Sequence, residues 1–210
     1  AIDLPSLLSS EAGFQFTQNG GRGTSANLFL RGSASIQVLV LIDGVPLTRQ
    51  DTTGTVALEH MMLDQVERVE IVRGNVSAIY GSGAIGGVIQ VFTRQGQGTP
   101  KGFGQLEAGS YGSVKASAGL SGQAGDTRFS LGVGRHKTDG FSSMDVTQFP
   151  AENPDADGYR NTNYNFAMSH ELVKGNTLGL RAQGSDGQFA FDGGGFGTVT
   201  DVYTGRNKQD

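Results

Sequence analysis

Several glycines in one short stretch match the pattern of a phosphate-binding loop. Gly81, Gly83 and Gly86 fit the pattern G-x-G-x-x-G, which holds a pyrophosphate at a helix N-terminus in dinucleotide-binding proteins. That mechanism needs a helix after the glycines, but residues 88–93 are β-branched and aromatic and predict a strand. An acidic residue should follow after about 20 positions, and the nearest, Glu107, lies beyond a Gly/Pro-rich break. We therefore interpret the glycines as structural.

No other group of residues predicts a catalytic site. His60, His136 and His170 occur in unrelated contexts, and the motifs of zinc proteases, serine hydrolases and P-loop proteins are absent. Cysteine is also absent, which excludes disulfide scaffolds and cysteine-ligated metal sites. We therefore expect that the protein is not an enzyme.

The composition narrows the class of protein further. The 210 residues carry a net charge of −4, which gives no electrostatic basis for binding nucleic acid. The hydrophobic share of 36% is enough for a packed core, so wholesale disorder is not expected. No apolar run reaches the roughly 18 residues of a membrane-spanning helix, and the N-terminus lacks the pattern of a signal peptide.

The predicted secondary structure changes in type near residue 98. Residues 1–98 alternate between short helices and strands and predict a small α+β domain. Asp3 is the expected N-cap of the first helix, and Asp43-Gly44 is a preferred pair for a two-residue hairpin turn. The predicted elements are a helix over residues 4–8, strands over 36–42, 66–73 and 88–93, and one or two helical turns over 58–65.

Residues 99–210 alternate between apolar and polar side chains, which predicts antiparallel β-strands with two unlike faces. The predicted strands include residues 114–121, 128–133, 163–172 and 178–183. Short turns at residues 122–126 and 174–176 alternate with long polar connections at 140–159 and 184–199. Outer-membrane barrels have this arrangement, with short turns at one end and long loops at the other. A soluble β-sandwich or β-meander would show the same periodicity.

Four motifs, in order, resemble the plug domain of TonB-dependent outer-membrane receptors. They are LFLRG at residues 28–32, VLIDGVPL at 40–47, VERVEIVRG at 66–74 and AIYGSGAIGGVI at 78–89. Their order and spacing match the family across residues 3–95. The plug-motif residues carried over from the resemblance are Asp43, Gly44, Glu67, Glu70, Gly74, Tyr80, Gly81, Gly86 and Gly87.

The resemblance implies an α+β plug followed by the first five or six strands of a transmembrane β-barrel, which has about 22 strands in this family. It implies a receptor that binds a scarce ligand (cobalamin, an iron–siderophore or haem) and imports it to the periplasm. The implied partners are TonB of the inner membrane, outer-membrane lipid and the ligand. We find neither a TonB box nor the family's first plug strand, so we expect the intact receptor to be longer at both ends. The alternative is a soluble α+β/β-meander binding or adhesion module.

The resemblance also assigns roles to individual residues. Arg31 and Arg73, each followed by glycine, match the family arginines that lock the plug to barrel carboxylates, and we expect this stretch of sequence to leave both unpaired. Asp155 and Asp157 resemble the outer-loop segment that binds calcium in cobalamin transporters, with Asp145, Glu152, Asp192 and Asp201 as further candidates. That loop and the short first hairpin favour the cobalamin subgroup. Plug residues 50–55 and 75–77 are candidates for ligand contact.

Overall fold

A computed structural model describes residues 2–18, 20–47, 58–142, 155–192 and 202–209. The chain divides into two compact units. The first contains residues 1–19 and 25–94, and the second contains residues 20–24 and 95–210. The division therefore falls after Arg94, and a short turn near the N-terminus groups with the second unit.

The first unit is an α+β domain with a two-stranded and a four-stranded sheet. Its elements are α1 (Leu4–Leu8), β1 (Phe14–Gln18), β2 (Ala26–Leu30), β3 (Val38–Ile42), β4 (Val45–Pro46), β5 (Val66–Arg73), α2 (Ser77–Tyr80), β6 (Gly87–Thr93) and 3-10 turns at Ser35–Gln37, Leu58–His60 and Ser82–Ala84. β1 and β2 form an antiparallel hairpin. The larger sheet has the order β4-β3-β6-β5, and its central pair, β3 and β6, is parallel.

The core of the first unit is aliphatic and lies around the central strands. Leu4, Leu30, Val40 and Ile89 are among its fully buried side chains. The Asp3 carboxylate caps α1 by accepting a hydrogen bond from the backbone of Ser6, as the sequence predicted. β4 is short and lies at the sheet edge, since proline cannot donate to a neighbouring strand.

One strand prediction in this unit is wrong at its start. The apolar run from Ile36 predicted a strand over residues 36–42, but β3 begins at Val38. Residues 35–37 instead form a 3-10 turn, in which the Gln37 side chain accepts from the backbone N–H of Ala34 at 3.0 Å. Ile36 is 60% exposed there, so its apolar character reflects no buried strand face.

The second unit is a six-stranded antiparallel meander whose strands pair in sequence order. Its strands are β7 (Lys101–Gly109), β8 (Ser113–Ala124), β9 (Thr127–Thr138), β10 (Tyr159–Val173), β11 (Asn176–Asp192) and β12 (Val202–Gln209). Two-residue turns at Gly125-Asp126 and Lys174-Gly175 mark one end of the sheet. The sequence predicted a long connection over residues 184–199. The first half of this prediction is wrong, because β11 continues to Asp192 and Gly184 pairs with Tyr164.

This sheet exposes its apolar face and buries its polar face, which is the reverse of a sheet in a soluble protein. Apolar side chains are exposed, among them Val114, Leu131, Val133 and Leu180, whereas polar side chains such as Ser130 are buried. In the described part of the chain, no helix is long and apolar enough to cross a membrane.

Candidate functional site

Arg73 ends β5 and is paired within the first unit. Its Nη2 lies 3.3 Å from Oε2 of Glu11, and its guanidinium carbon lies 6.0 Å from the ring centroid of Phe14. The expectation that both arginines would be unpaired is therefore wrong for Arg73, because the turn after α1 brings Glu11 to the end of β5. The Nε of Arg73 is buried and has no hydrogen-bond partner among the described residues, so one donor of this side chain is still available.

Arg31 lies in a tight turn at the end of β2. Its φ of 51° is unusual for a residue other than glycine, and Gly32 follows with φ of 81°. The backbone N–H of Arg31 donates to the carbonyl of Gly13 at 2.9 Å, and that of Ser33 donates to the carbonyl of Leu30 at 3.0 Å. The turn thus presents an exposed guanidinium, and the described residues supply no carboxylate for it.

Asp43 and Gly44 form the turn between β3 and β4. Their φ values of 48° and 85° are both positive, as a type I′ turn requires. The Asp43 carboxylate also contacts the end of β6: Oδ1 accepts from the backbone N–H of Thr93 at 2.9 Å, and Oδ2 accepts from its hydroxyl at 2.5 Å. Asp43 therefore joins the turn to the neighbouring strand, a contact across 50 residues of sequence.

Gly86 and Gly87 lie where the backbone passes closest to its neighbours. A Cβ atom at Gly87 would lie 2.4 Å from the carbonyl oxygen of Val72 and 2.8 Å from Cδ2 of Leu30. A Cβ atom at Gly86 would lie 2.7 Å from Cβ of Ser33. No larger residue fits at either position without a shift of its surroundings. The geometry agrees with a structural interpretation of the glycine pattern.

The connection between β5 and β6 carries three further motif residues. Gly74 donates from its N–H to the carbonyl of Gly86 at 3.0 Å, which ties the start of the connection to its end. Tyr80 is the last residue of the four-residue helix α2 and is partly exposed. Gly81 follows with φ of 88°, and β6 then begins at Gly87. No helix follows the glycines, so the arrangement lacks the helix N-terminus that a dinucleotide would need.

Glu67 lies at an irregular position of β5, whereas Glu70 lies in its regularly paired part. The register of β5 against β6 shifts between Val66 and Arg68, so Glu67 is the extra residue of a β-bulge. Glu70 pairs with Arg68 at 2.8 Å, and both side chains are about half exposed. The Arg68 guanidinium lies 3.7 Å from the ring centroid of Phe92, a cation–π contact.

The candidate calcium residues lie just before β10 in the second unit. Asp157 is buried, and Asp155 has one buried carboxylate oxygen without a hydrogen-bond partner among the described residues. Within the described segments, no three acidic or histidine side chains come together as a metal site. The other candidate carboxylates (Asp145, Glu152, Asp201 and the side chain of Asp192) and plug residues 50–55 lie outside what the structure describes.

A row of polar residues crosses the buried face of the six-stranded sheet β7–β12, which we call the wall. Glu107, Lys115, His136 and Asn161 are successive cross-strand neighbours on β7 to β10. The Nζ atom of Lys115 lies 3.8 Å from Oε1 of Glu107. The side chains of Lys115, His136 and Asn161 are buried. Strand alternation placed such residues on one face, but only the register shows that they form one row.

His136 makes one polar and one aromatic contact in this row. Its Nε2 lies 3.0 Å from the Ser113 hydroxyl, and its ring meets the Tyr159 ring edge-on at 5.7 Å between centroids. The Asn161 amide donates to the Tyr159 hydroxyl at 2.8 Å. This face of the sheet therefore offers hydrogen-bond donors and acceptors where a soluble protein would have an apolar core.

Residues 20–24 pack against the same wall within the second unit. A Cβ atom at Gly23 would lie 2.6 Å from the Tyr159 ring and 2.9 Å from Cβ of Phe189. The Thr24 hydroxyl donates to the carbonyl of Gly21 at 2.8 Å, which closes the turn. This turn was not predicted, because its packing depends on residues more than 130 positions away.

The comparisons with known proteins agree with this geometry. Residues 1–88 match the family described as TonB-dependent Receptor Plug Domain. The chain is 36% identical over 199 residues to the vitamin B12 transporter BtuB of Vibrio cholerae serotype O1, which covers 91% of the chain and 31% of that protein. BtuB of Vibrio vulnificus is 36% identical over 146 residues, covering 69% of the chain and 24% of that protein. The chain thus spans about a third of the length of the curated relatives it matches.

Solved structures show the same fold. The pyoverdine outer-membrane receptor FpvA of Pseudomonas aeruginosa PAO1 superposes with a TM-score of 0.74 at 18% identity, over 91% of this chain and 26% of that one. A mutant of the ferric enterobactin receptor PfeA of Pseudomonas aeruginosa gives a TM-score of 0.67 at 23% identity, over 90% and 31%.

The relatives are receptors and transporters of the outer membrane, which confirms the expectation that this protein is not an enzyme and places it in that membrane. The alternative of a soluble binding or adhesion module is therefore wrong. The chain belongs to the TonB-dependent outer-membrane receptors, as a plug domain followed by antiparallel wall strands.

Proposed function

We propose that the receptor containing this chain imports a cobalamin across the outer membrane. The observation that carries the proposal is the 36% identity to a vitamin B12 transporter over 91% of the chain, which includes both the plug and the wall strands. The solved siderophore receptors share the fold at lower identity and do not distinguish among ligands.

Uptake by the full-length receptor tests this proposal. The receptor is expressed in a Gram-negative host that lacks its own vitamin B12 transporter, and uptake of labelled cyanocobalamin is compared with uptake of ferric enterobactin. We expect cyanocobalamin uptake to be restored and enterobactin uptake to stay at background. Enterobactin uptake without cobalamin uptake would show a siderophore receptor, and labelled haem provides the third comparison.

We further propose that uptake is energised through TonB, as the family implies. The contact would involve a plug segment that precedes the residues matched here. The full-length receptor should therefore lose uptake in a host without TonB while it still binds cyanocobalamin at the cell surface. Unchanged uptake in that host would contradict the role of TonB.

We propose the family's locking role for Arg31 and Arg73, in which each pairs with a barrel carboxylate. The exposed guanidinium of Arg31 and the unpartnered Nε of Arg73 support it, because both have donors left for a further acceptor. Without these ion pairs the plug should be held less firmly, so cells that carry Arg31→Gln/Arg73→Gln should become more permeable to antibiotics. Arg68→Gln is the matched control, since that arginine already pairs with Glu70.

We propose that Asp155 and Asp157 contribute to a calcium site. Calcium prefers carboxylate and carbonyl oxygens, and the buried unpartnered oxygen of Asp155 is chemically suited to it. Calcium should protect the connection over residues 139–158 from protease in the full-length receptor, and Asp155→Asn/Asp157→Asn should remove that protection. Equal cleavage with chelator and with millimolar calcium would contradict the site.

A further inference from the structure

Residues 95–100, which we call the connector, join the last strand of the first unit to the first strand of the wall, and they belong to the second unit. The backbone N–H of Arg94 still donates to the carbonyl of Gln65 within the first unit, at 3.0 Å. The side chain of the next residue, Gln95, already contacts the wall. No residue therefore separates the last hydrogen bond inside the first unit from the first contact with the wall.

The connector lies against the backbone of β8 and β9 near their shared turn. A Cβ atom at Gly96 would collide with the carbonyl oxygen of Phe129 and would lie 2.8 Å from that of Gly122. Gly96 also has a φ of 71°, so both its conformation and its surroundings require glycine. Two residues further on, the carbonyl of Gly98 accepts from the backbone N–H of Gln123 at 2.7 Å.

A side chain from a third strand also holds the connector. Nη2 of Arg181, on β11, donates to Oε1 of Gln95 at 2.6 Å. A hydrogen bond from a charged donor is roughly twice as strong as one between neutral groups. Arg181 lies in the same cross-strand row as Ala167 and Ser130, which places it on the polar face of the wall. The connector thus contacts β8, β9 and β11 before it continues into β7 at Lys101.

These contacts act together because the connector is short. Lifting Gly96 away from the two carbonyls would also pull on Gln95 and Gly98, since each lies within two residues of it. At its other end the connector is fixed, because Lys101 pairs with Ser121 in the ladder between β7 and β8. The connector is therefore built to resist a pull that reaches it through the first unit.

We propose that Gly96 and Arg181 hold the connector as a fixed anchor on the wall while the receptor imports its ligand. The inference rests on the proposed import through TonB, in which a pull on the segment before the plug has to be resisted further along the chain. The anchor places that point at Gln95, so any rearrangement of the chain during import stays before this residue. Arg181 is a positioning residue, because it acts through the connector and not by contact with the ligand.

A reversible cross-link tests whether the connector stays on the wall. In cells that carry the full-length receptor with Gln95→Cys/Arg181→Cys and no other cysteine, a flexible reagent joins the two thiols through cleavable disulfides. The joined receptor should take up labelled cyanocobalamin at the same rate as after reduction, and should need TonB in both states. Uptake that stops on joining and returns on reduction would overturn the proposal, because it would show that the connector must leave the wall.

Alanine substitutions of the two connector glycines test the close packing. Gly96→Ala should raise the rate at which protease cleaves the connector about tenfold, because the added Cβ meets the Phe129 carbonyl. It should also lower cyanocobalamin uptake and leave binding at the cell surface unchanged. Gly98→Ala is the matched control, since Gly98 also has a positive φ but its Cβ would meet nothing within 4 Å. Equal effects of the two substitutions on cleavage and uptake would contradict the anchor.

The role of Arg181 is tested in the same way. Arg181→Gln should raise cleavage of the connector about fivefold through loss of one hydrogen bond, and Arg181→Lys, which keeps a donor, should restore most of the protection. Arg160→Gln is the control, because it removes an arginine–glutamine hydrogen bond elsewhere on the wall. Unchanged cleavage in Arg181→Gln, or an equal increase in Arg160→Gln, would reject the positioning role.

Two further measurements keep these outcomes separate. Gel mobility without heating reports whether each variant has assembled its barrel, and if Gly96→Ala does not assemble, the cross-link and the Arg181 variants still decide. If the unmodified receptor does not import cyanocobalamin, the cobalamin proposal alone fails. The cross-linked receptor is then assayed with ferric enterobactin, whereas cleavage of the connector needs no ligand.

Discussion

The two units of this chain bury opposite kinds of side chain. In the first unit the fully buried residues are aliphatic, such as Leu30 and Ile89. In the second unit Ser130 is 1% exposed while its neighbour Leu131 is 44% exposed. The physical rule is the same in both, because apolar surface leaves water. The difference is that lipid takes the place of a protein core on the outside of the wall.

This contrast resolves what periodicity could not. Alternation of apolar and polar residues is equally compatible with a soluble sheet and with a barrel wall. The direction of burial separates them, since a soluble sheet would cover Leu131 and expose Ser130. Substitutions in the two units of the full-length receptor can therefore test the contrast.

The largest difference is expected between two leucine truncations. Leu30→Ala should lower the unfolding free energy of the plug by about 3 to 5 kcal/mol, because it leaves a cavity in a fully buried core. Leu131→Ala should cost the wall less than about 1 kcal/mol, because lipid can fill the space beside an exposed side chain. Hydrogen exchange of plug and wall peptides at increasing denaturant measures both. Equal costs would show that both leucines are buried in protein.

A charge on the lipid face should be the next most damaging change. Leu131 lies near the middle of β9, so Leu131→Arg should destabilise the receptor in phospholipid vesicles by about 2 to 4 kcal/mol. Gln105→Arg places the same charge on the opposite face of the sheet and should cost much less. Denaturant unfolding in vesicles gives the two values. A larger loss for Gln105→Arg would reverse the assignment of the faces.

Adding a Cβ atom where the plug backbone is closely packed should destabilise the plug by a smaller amount. Gly87→Ala should destabilise the plug by about 1 to 3 kcal/mol, because its Cβ would meet the Val72 carbonyl and force the backbone apart. Gly83→Ala is the matched control from the same glycine motif, since its Cβ would meet only Leu39 at 3.9 Å. Hydrogen exchange of β6 reports both variants. A similar loss of stability in both variants would mean that something other than contact of the added Cβ restricts this motif to glycine.

Local signals account for the parts of the fold that the sequence predicted. The strand over Val66–Arg73 and the Asp43-Gly44 turn depend on composition and turn chemistry within a few residues, and the structure confirms both. The wrong start of β3 and the wrong end of β11 have another cause. Those bounds are decided by pairing with other strands, β6 for β3 and β10 for β11, which a local apolar or glycine-rich stretch does not reveal.

The candidate site was predictable to a lesser degree. Four motifs in order predicted the family, and the family pattern then indicated which arginines and glycines belong to the candidate site. The partners of those residues come from far along the chain, as with Arg73 and Glu11 or Asp43 and Thr93. The polar row through His136 depends on strand register, and register follows from the folded sheet rather than from any one segment.

The smallest predicted effect concerns polar contacts of the plug, where burial again decides the magnitude. Asp43→Asn should cost about 1.5 kcal/mol, because an amide can accept only one of the two hydrogen bonds from Thr93. Glu70→Gln makes the same carboxylate-to-amide change in an exposed pair with Arg68 and should cost less than about 0.5 kcal/mol. Hydrogen exchange of β6 at low and high salt separates them, since only the Glu70 effect should fade with salt. A salt-sensitive loss at Asp43 would mean that its carboxylate acts through long-range charge rather than through its contact with β6.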